Sequence, residues 1–353
     1  MLSNINLTTQ VLFSRLQNNL TRLQTRFADS VGEVATGRRA DLADRLGGSG
    51  AAIFGLKASV TQARGQLDRI GIVETRLSVM QASLENSRGV AESFNYRGVM
   101  DDSANTPSYG LVARQAATAG IDRVLSSLNA RVDNRYVFGG QAVDQPPMKQ
   151  PNTMLAAVES VVASNVSAAG GRIETAAQVD SLLAEVASMF DDTNANPTLN
   201  FTGQIYQGAP DASADLSVSD GNGNRLVYGA KASEEGVRTL LQGLYLYAAV
   251  QKADGQFGAA AYKRFAGATV DMIDDGVAGV VSIEARLGLV QRNIESFREE
   301  QQASLVILQG RITGIENVDP TEAATTLAQL ETQLQASFLA TSRILRLSLA
   351  NVL

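Results

Sequence analysis

The chain has 353 residues, 44% of them hydrophobic, so it is long enough for two or three domains and apolar enough to bury a core. Its net charge of −6 comes from 30 basic and 36 acidic residues without long blocks of one sign, which argues against a nucleic-acid-binding protein. It contains no His, Cys or Trp. Without imidazole or thiolate groups it cannot build a Cys or Ser-His-Asp active site or a Cys/His metal site, and we expect no metal and no cofactor. Carboxylate, Lys or Tyr chemistry stays open, so the range of enzyme functions is reduced rather than excluded.

The N-terminus has none of the features of a cleaved signal peptide. Its first ten residues, MLSNINLTTQ, contain no basic residue and no continuous apolar run. No segment reaches ~18 consecutive apolar residues, so we expect no membrane insertion. If the protein works outside the cell, it leaves by a route that uses no cleaved signal.

The first 140 residues show three helical segments with narrow apolar seams. Successive apolar residues of the first seam lie three or four positions apart, a spacing typical of coiled-coil packing. These residues are Leu16, Leu20, Leu23, Phe27, Val31 and Val34. A Gly-rich stretch at 47–50 ends this segment, and a second helix is predicted from about Ala51. Its seam is Leu56, Val60, Ala63, Leu67, Ile70, Leu77 and Leu84. The pattern predicts a third helix over 109–132.

Residues 141–253 read as an insert of mixed α and β character. Five of the 7 prolines lie between 146 and 210, and 173–190 is predicted as a helix. Two short strands, 216–218 and 226–228, flank the sequence DGNGN, which favours a hairpin turn over a calcium loop because the calcium-loop glycine and closing Glu are missing. The acidic pairs at 101–102, 191–192 and 274–275 could serve as general acid–base pairs, but the sequence near them suggests no catalytic residue to act with them, and we interpret them as solvated turns or helix faces.

The helical pattern returns after the insert. No proline occurs over 257–315, which predicts a helix of about 58 residues, roughly 87 Å long at 1.5 Å per residue. Its seam, interrupted by Gln301 and Ser304, is Ile283, Leu287, Val290, Ile294, Phe297, Leu308, Ile312 and Ile315. Asp319-Pro320-Thr321-Glu322 then predicts a capped restart, with Glu322 reaching back to the cap amide. The last seam is Leu327, Leu330, Leu334, Phe338, Leu345 and Leu349.

The order of these segments is palindromic, with narrow-seam helices at both ends. Because such a seam needs a partner helix, we expect the N-terminal seam to pair with the C-terminal one. The predicted fold is mainly α: an elongated helical rod built from coiled-coil-like terminal helices, with a smaller mixed α/β insert domain at the tip. The predicted domains are a stem (1–45 with 302–353), a long-helix rod (46–140 with 254–301) and the outer insert (141–253).

Motifs at both ends of the chain are similar to those of a known family. Residues 31–39, VGEVATGRR, resemble the segment that closes the first helix of the flagellin superfamily. Residues 285–288, ARLG, and 315–323, IENVDPTEA, resemble its C-terminal region. After Arg39 the family usually has an Asp-Asp-Pro-like stretch, whereas this chain has DLADRLGG. The chain therefore resembles the flagellin superfamily.

Further motifs favour one branch of that superfamily, the hook–filament junction proteins (the FlgL or third hook-associated protein family). Residues 134–140, NRYVFGG, are similar to the motif that ends their third helix, and the final LRLSLANVL is similar to their terminus. The YGAKA stretch at 228–232 and GVRTLL at 236–241 resemble the exit from their insert.

The resemblance implies a structural, non-enzymatic subunit of the bacterial flagellum that joins hook to filament. It implies export through the type III secretion channel to an extracellular location, and self-association into a ring. The other implied partners are the second hook–filament junction protein, flagellin and a flagellar export chaperone, with no nucleic acid and no membrane insertion. Two alternatives remain: a short filament flagellin, and a coiled-coil interaction protein unrelated to the flagellum. A carboxylate-based enzyme is a more distant third.

The terminal seams are the only predicted functional surface. Burial of these seams between adjacent subunits, favourable at roughly 25 cal/mol per Å², is the predicted mechanism of assembly. The predicted assembly residues are Leu16, Leu20, Leu23, Phe27, Leu327, Leu330, Leu334, Phe338 and Leu345.

Overall fold

The computed structural model describes residues 2–40, 50–93, 107–219, 225–251 and 254–350. These residues are mainly helical, which confirms the predicted fold class, and they form two compact units. Residues 1–65 with 301–353 make up the terminal unit, and residues 66–300 make up the central unit. The predicted links at 47–49 and 101–102 and the turn at 220–224 lie outside the described residues.

The predicted helices occur in the predicted order, and the structure adds three α-helices within residues 141–253 that the sequence did not predict. The helices are α1 (Leu2–Thr36), α2 (Gly50–Ser93), α3 (Pro107–Leu128), α4 (Asn152–Ala168), α5 (Ala176–Phe190), α6 (Phe201–Gln204), α7 (Glu235–Ala249), α8 (Ala259–Glu316) and α9 (Pro320–Ala350). The strands form two antiparallel pairs, β1 (Arg131–Val132) with β2 (Arg135–Tyr136) and β3 (Ser217–Ser219) with β4 (Arg225–Val227). The 58 residues of α8 confirm the predicted long helix.

Helix α7 lies at the centre of the central unit. Every residue from Leu240 to Val250 is buried, and α3, α4 and α5 all pack against α7. The rings of Phe190 and Tyr245 lie 6.0 Å apart in the same core. Because one hydrophobic core joins α7 to helices from both sides of position 140, the structure groups the predicted rod and insert residues 66–300 together. The predicted three-way division differs from the two units at this point.

Helices α2 and α8 run antiparallel within the central unit. Arg298 pairs with Glu74 at 3.3 Å, and Arg88 pairs with Glu284 at 3.5 Å. Residue numbers therefore fall along α8 as they rise along α2, as in an antiparallel pair. The predicted α2 residues Ile70, Leu77 and Leu84 have no exposed surface. On α8 the seam residues Ile283, Leu287 and Ile294 are likewise buried, in the same core. The predicted seams of both helices are confirmed here.

Two predicted helix boundaries are wrong. The third helix ends at Leu128 rather than 132, because Asp133 (φ 50°) and Asn134 (φ 62°) both take the left-handed conformation of a two-residue hairpin turn between β1 and β2. Helix α5 begins at Ala176 rather than 173, because the Thr175 side chain accepts a hydrogen bond from the Gln178 amide and caps the helix. The hairpin predicted near 216–228 is confirmed, with Val218 opposite Leu226.

Glycines allow α7 and α8 to touch through their backbones. A Cβ atom on Gly279 would lie 2.5 Å from Cα of Gly236, and one on Gly276 would collide with the backbone of Leu240. A Cβ on Gly243 would lie 2.6 Å from the Ile273 side chain. The crossing therefore depends on residues without side chains.

We expect Gly279→Ala to lower the free energy of unfolding of the protein by about 3 kcal/mol, because two backbones must separate to admit the methyl group. Gly89→Ala is the matched control, since a Cβ at this exposed α2 position meets nothing within 4 Å. It should raise the free energy of unfolding by about 0.4–1 kcal/mol. Urea unfolding of both variants measures the difference, and equal stabilities would contradict the proposed crossing.

Candidate assembly interface

Helices from opposite ends of the chain pack against each other in the terminal unit. Helix α1 contacts α9, which confirms the predicted pairing of the N- and C-terminal seams. Just after α1 ends and just before α9 begins, Arg38 and Asn317 form an isolated antiparallel β-bridge. The Arg39 amide donates to the Glu316 carbonyl at 2.8 Å, and the Val318 amide donates to the Gly37 carbonyl at 3.1 Å. These bonds fix the register of the pair.

The end of α1 is formed by a glycine and a buried carboxylate. Gly37 has φ +68°, the left-handed conformation that ends helices at low cost only for glycine, and its amide donates to the Glu33 carbonyl at 2.8 Å. The Glu33 side chain is buried and accepts a hydrogen bond from the Ala40 amide at 3.1 Å. Lys57 of α2 pairs with Glu316 of α8 at 2.6 Å in the same unit.

The α1 seam follows the prediction for four residues and then departs from it. Leu16, Leu20, Leu23 and Phe27 are half-buried. The predicted continuation through Val31 and Val34 is wrong, because these side chains are exposed and Ser30 and Glu33 are buried instead. A second consecutive step of four residues, from 27 to 31, rotates the side chain about 40° away from the seam, whereas a step of three keeps position 30 on it.

The α9 seam shows the same partial agreement. Leu330 and Leu334 are buried and Leu327 is half-buried, as predicted. Phe338 is 52% exposed, and the half-buried positions beyond Leu334 are Ser337, Thr341 and Ile344. Phe338 therefore lies outside the contact within the chain. Leu345 and Leu349 lie outside the residues whose side chains are described.

The predicted seam at the end of α8 also differs from the structure, at one position. Ser304, taken in the sequence as an interruption of the seam, is exposed, and the neighbouring Leu305 is half-buried together with Gln301 and Leu308. The 3–4 spacing thus continues through Leu305.

The terminal unit buries its apolar residues less completely than the central unit. Its buried hydrophobic residues retain between 2% and 9% of their exposure, and they are Ile53, Val60, Ala63, Ala323, Leu330 and Leu334. It also contains seven of the 13 large hydrophobic side chains found exposed: Val31, Val34, Phe54, Val306, Ile307, Phe338 and Leu339. Apolar surface that the chain does not cover itself is typical of a surface that packs against other molecules.

The buried charged groups of the central unit hold a loop in place. The Lys231 ammonium donates to the carbonyls of Asp211 and Ser213, at 3.1 and 2.8 Å, and pairs with Asp215 at 3.2 Å. Arg238 pairs with Asp211 and with Asp192, one member of the predicted solvated pair at 191–192. Tyr245 is fully buried, and burial raises the pKa of its hydroxyl. These groups are engaged in packing and pairing rather than presented to a substrate.

Two other kinds of site are absent from the described residues. In the part of the chain that the structure describes, no group of three or more Asp or Glu side chains is arranged to hold a metal ion. No described helix combines the length and apolarity required to cross a membrane.

A protein-family model matches the C-terminal part of this chain. Residues 270–353 match the model of the bacterial flagellin C-terminal helical region. The matched range includes the second half of α8 and all of α9. The C-terminal region of this chain is flagellin-like. The resemblance inferred from the C-terminal motifs is thereby confirmed.

Solved structures of flagellar proteins match the chain at low sequence identity. A protein from Vibrio parahaemolyticus assigned as a flagellar hook-associated protein is 12% identical, with a TM-score of 0.46 over 76% of this chain and 97% of its own. FlgL from Bacillus cereus is 12% identical, with a TM-score of 0.37 over 76% of this chain and 99% of its own. Neither score establishes a shared fold. No curated protein sequence matches the chain.

The predicted start of α9 is confirmed in its main feature. The Asp319 carboxylate accepts hydrogen bonds from the amides of Thr321, at 2.8 Å, and Glu322, at 3.4 Å. The Thr321 amide, followed by that of Glu322, holds the pKa of Asp319 below its ordinary value. A lowered pKa means that this cap stabilises the helix start above about pH 4 and loses its effect as the pH falls through the folded-state pKa.

We expect Asp319→Asn to flatten part of the acid-induced loss of helix below about pH 4, because the amide oxygen still caps α9 but does not titrate. Far-UV circular dichroism of the parent and variant chains between pH 7 and pH 2 measures the difference. All other carboxylates are shared by the two proteins, so identical acid profiles would show that the cap contributes nothing.

Proposed function

We propose that this protein is a structural subunit of the bacterial flagellum that forms the junction between hook and filament. It self-associates into a ring and contacts the other hook–filament junction protein on one side and flagellin on the other. It is exported by the flagellar type III route with the help of an export chaperone, and it acts outside the cell.

The incompletely buried terminal unit is the observation that carries this proposal. Its seam leaves Leu16, Leu20 and Leu23 half-exposed, and Phe338 projects away from the contact between α1 and α9. Covering this surface with neighbouring copies is favourable at roughly 25 cal/mol per Å², and the gain accumulates over contacts as long as α1 and α9. The flagellin-like C-terminal region lies in the same part of the chain.

A short filament flagellin is the second candidate function. The matching family model describes flagellin itself, and the same partly buried helices serve a filament as well as a ring. The two roles differ in copy number and in position along the flagellum. A flagellin is found along the whole filament, whereas a junction protein is confined to one narrow zone.

Charged substitutions in the seam test the proposed mechanism of assembly. We expect Leu23→Asp or Leu334→Asp to abolish assembly and swimming while leaving the central unit folded, because each places a carboxylate in the α1–α9 contact at a cost of roughly 2–4 kcal/mol per copy. Ala82→Asp is the matched control on an exposed position of α2 and should leave both unchanged. Normal swimming of cells carrying Leu23→Asp would count against the proposal.

Immunogold electron microscopy of intact flagella, with an antibody against residues 141–253, locates the protein. A single cluster of gold at the boundary of hook and filament is the expected result. Label along the entire filament would assign the chain as a flagellin instead. Flagella without label would remove both flagellar roles and leave a helical protein of another function.

A further inference from the structure

The five charged side chains of α1 lie on one narrow stripe of the helix. They are Arg15, Arg22, Arg26, Asp29 and Glu33. At about 100° per residue all five fall within an arc of roughly 60°. Charges that serve only to solvate a helix are free to occupy any part of its polar side. Their concentration here therefore marks a distinct surface, which we call the charged stripe.

Most of the charged stripe lines a groove between α1 and α9. Four of its five residues, all except Arg15, border the groove, and the α9 residues that border it, Thr326 and Leu330, are uncharged. No ion pair joins a residue of the charged stripe to another described residue. Ser30 borders the groove too; it is 3% exposed, and its buried hydroxyl has no hydrogen-bond partner among the described groups. Helix α9 thus supplies the stripe with no opposite charge.

Charges of opposite sign are separated along the stripe. Two exposed arginines, Arg22 and Arg26, precede two carboxylates, half-buried Asp29 and buried Glu33, at steps of four, three and four residues. Each pair of like charges is therefore one helical turn apart, an arrangement that destabilises an isolated helix. Within the described part of the chain no ion pair offsets this repulsion.

This order of charges is complementary to itself when two helices run antiparallel. A two-fold axis between Arg26 and Asp29 places Arg26 of one copy opposite Asp29 of the other, and Arg22 opposite Glu33. The axis repeats both contacts, so every charge of the groove meets an opposite one. A parallel second copy does not achieve this: in register it opposes like charges, and a shift of seven residues places Arg22 opposite Arg15.

We propose that two copies of the free protein pair through their charged stripes, with the two α1 helices antiparallel about a two-fold axis. Such a contact uses the same surface on both copies and closes at two, so it does not propagate into a ring or a filament. The pair therefore belongs to the protein before assembly and is additional to the proposed function. Because exposed charge pairs are individually weak, it separates readily.

Sedimentation of the purified full-length protein tests the pairing. At about 0.05 M salt we expect a dimer whose dissociation constant rises at least tenfold at about 0.5 M salt, because salt screens the charges. Arg26→Glu opposes two carboxylates at the axis and Asp29→Arg opposes two guanidinium groups, so each variant alone should dimerise at least tenfold more weakly. A mixture of the two variants should dimerise again, since each reversed charge then faces an opposite one.

The mixture also serves as a test of folding, because a restored dimer requires both variants to be folded. Arg64→Glu and Asp68→Arg make the same charge changes at exposed positions of α2 and should leave the dimer intact. A parent protein that is monomeric at low salt, a dimer that neither stripe variant weakens, or a mixture that stays monomeric would each overturn the inference. The proposed function would stand in all three cases, since immunogold labelling tests it separately.

Discussion

Helices α1 and α9 come from opposite ends of the chain and cover each other only in part. Their contact leaves the leucines of α1 half-exposed and places Phe338 and Val31 outside the contact altogether. Two packed helices have too little surface between them to bury a full apolar stripe on each. The terminal unit therefore leaves apolar surface uncovered within one chain.

The central unit buries its apolar surface within one chain. Around α7, side chains from Leu240 to Val250 are buried on all sides, and glycines bring α7 and α8 to backbone contact. Dense packing of this kind supplies dispersion contacts and apolar burial without a partner. The two units thus differ in the source of their stability: the central unit depends on its own core, and the terminal unit has apolar surface left to cover.

Much of the fold was predictable because the seams repeat regularly. Strict 3–4 spacing located α2, α8 and α9 and the pairing of the chain ends, since a long periodic stripe leaves few alternatives. The errors lie where a local interaction overrides the period. The spacing rule also predicted Val31 and Phe338 as seam residues. Each follows a second consecutive step of four residues, which rotates its side chain out of the α1–α9 contact. Val132 fitted the helical pattern, but the left-handed turn at Asp133 and Asn134 places it in a strand. Ser30 and Glu33 are polar, so only the tertiary structure reveals that they are buried.

The cations of the chain show the same division. In the central unit the structure pairs buried Lys231 with Asp215 and half-buried Arg238 with Asp211, so these two cations meet a carboxylate of the same chain. Pairing is expected, because a partly buried charge without a partner is costly. Arg22 and Arg26 line a groove between α1 and α9 together with Asp29 and Glu33, yet neither arginine forms an ion pair with a described residue, and both are exposed. Like the half-exposed leucines of the seam, both arginines stay open to what surrounds the terminal unit, whereas Lys231 and Arg238 are held by carboxylates of their own unit.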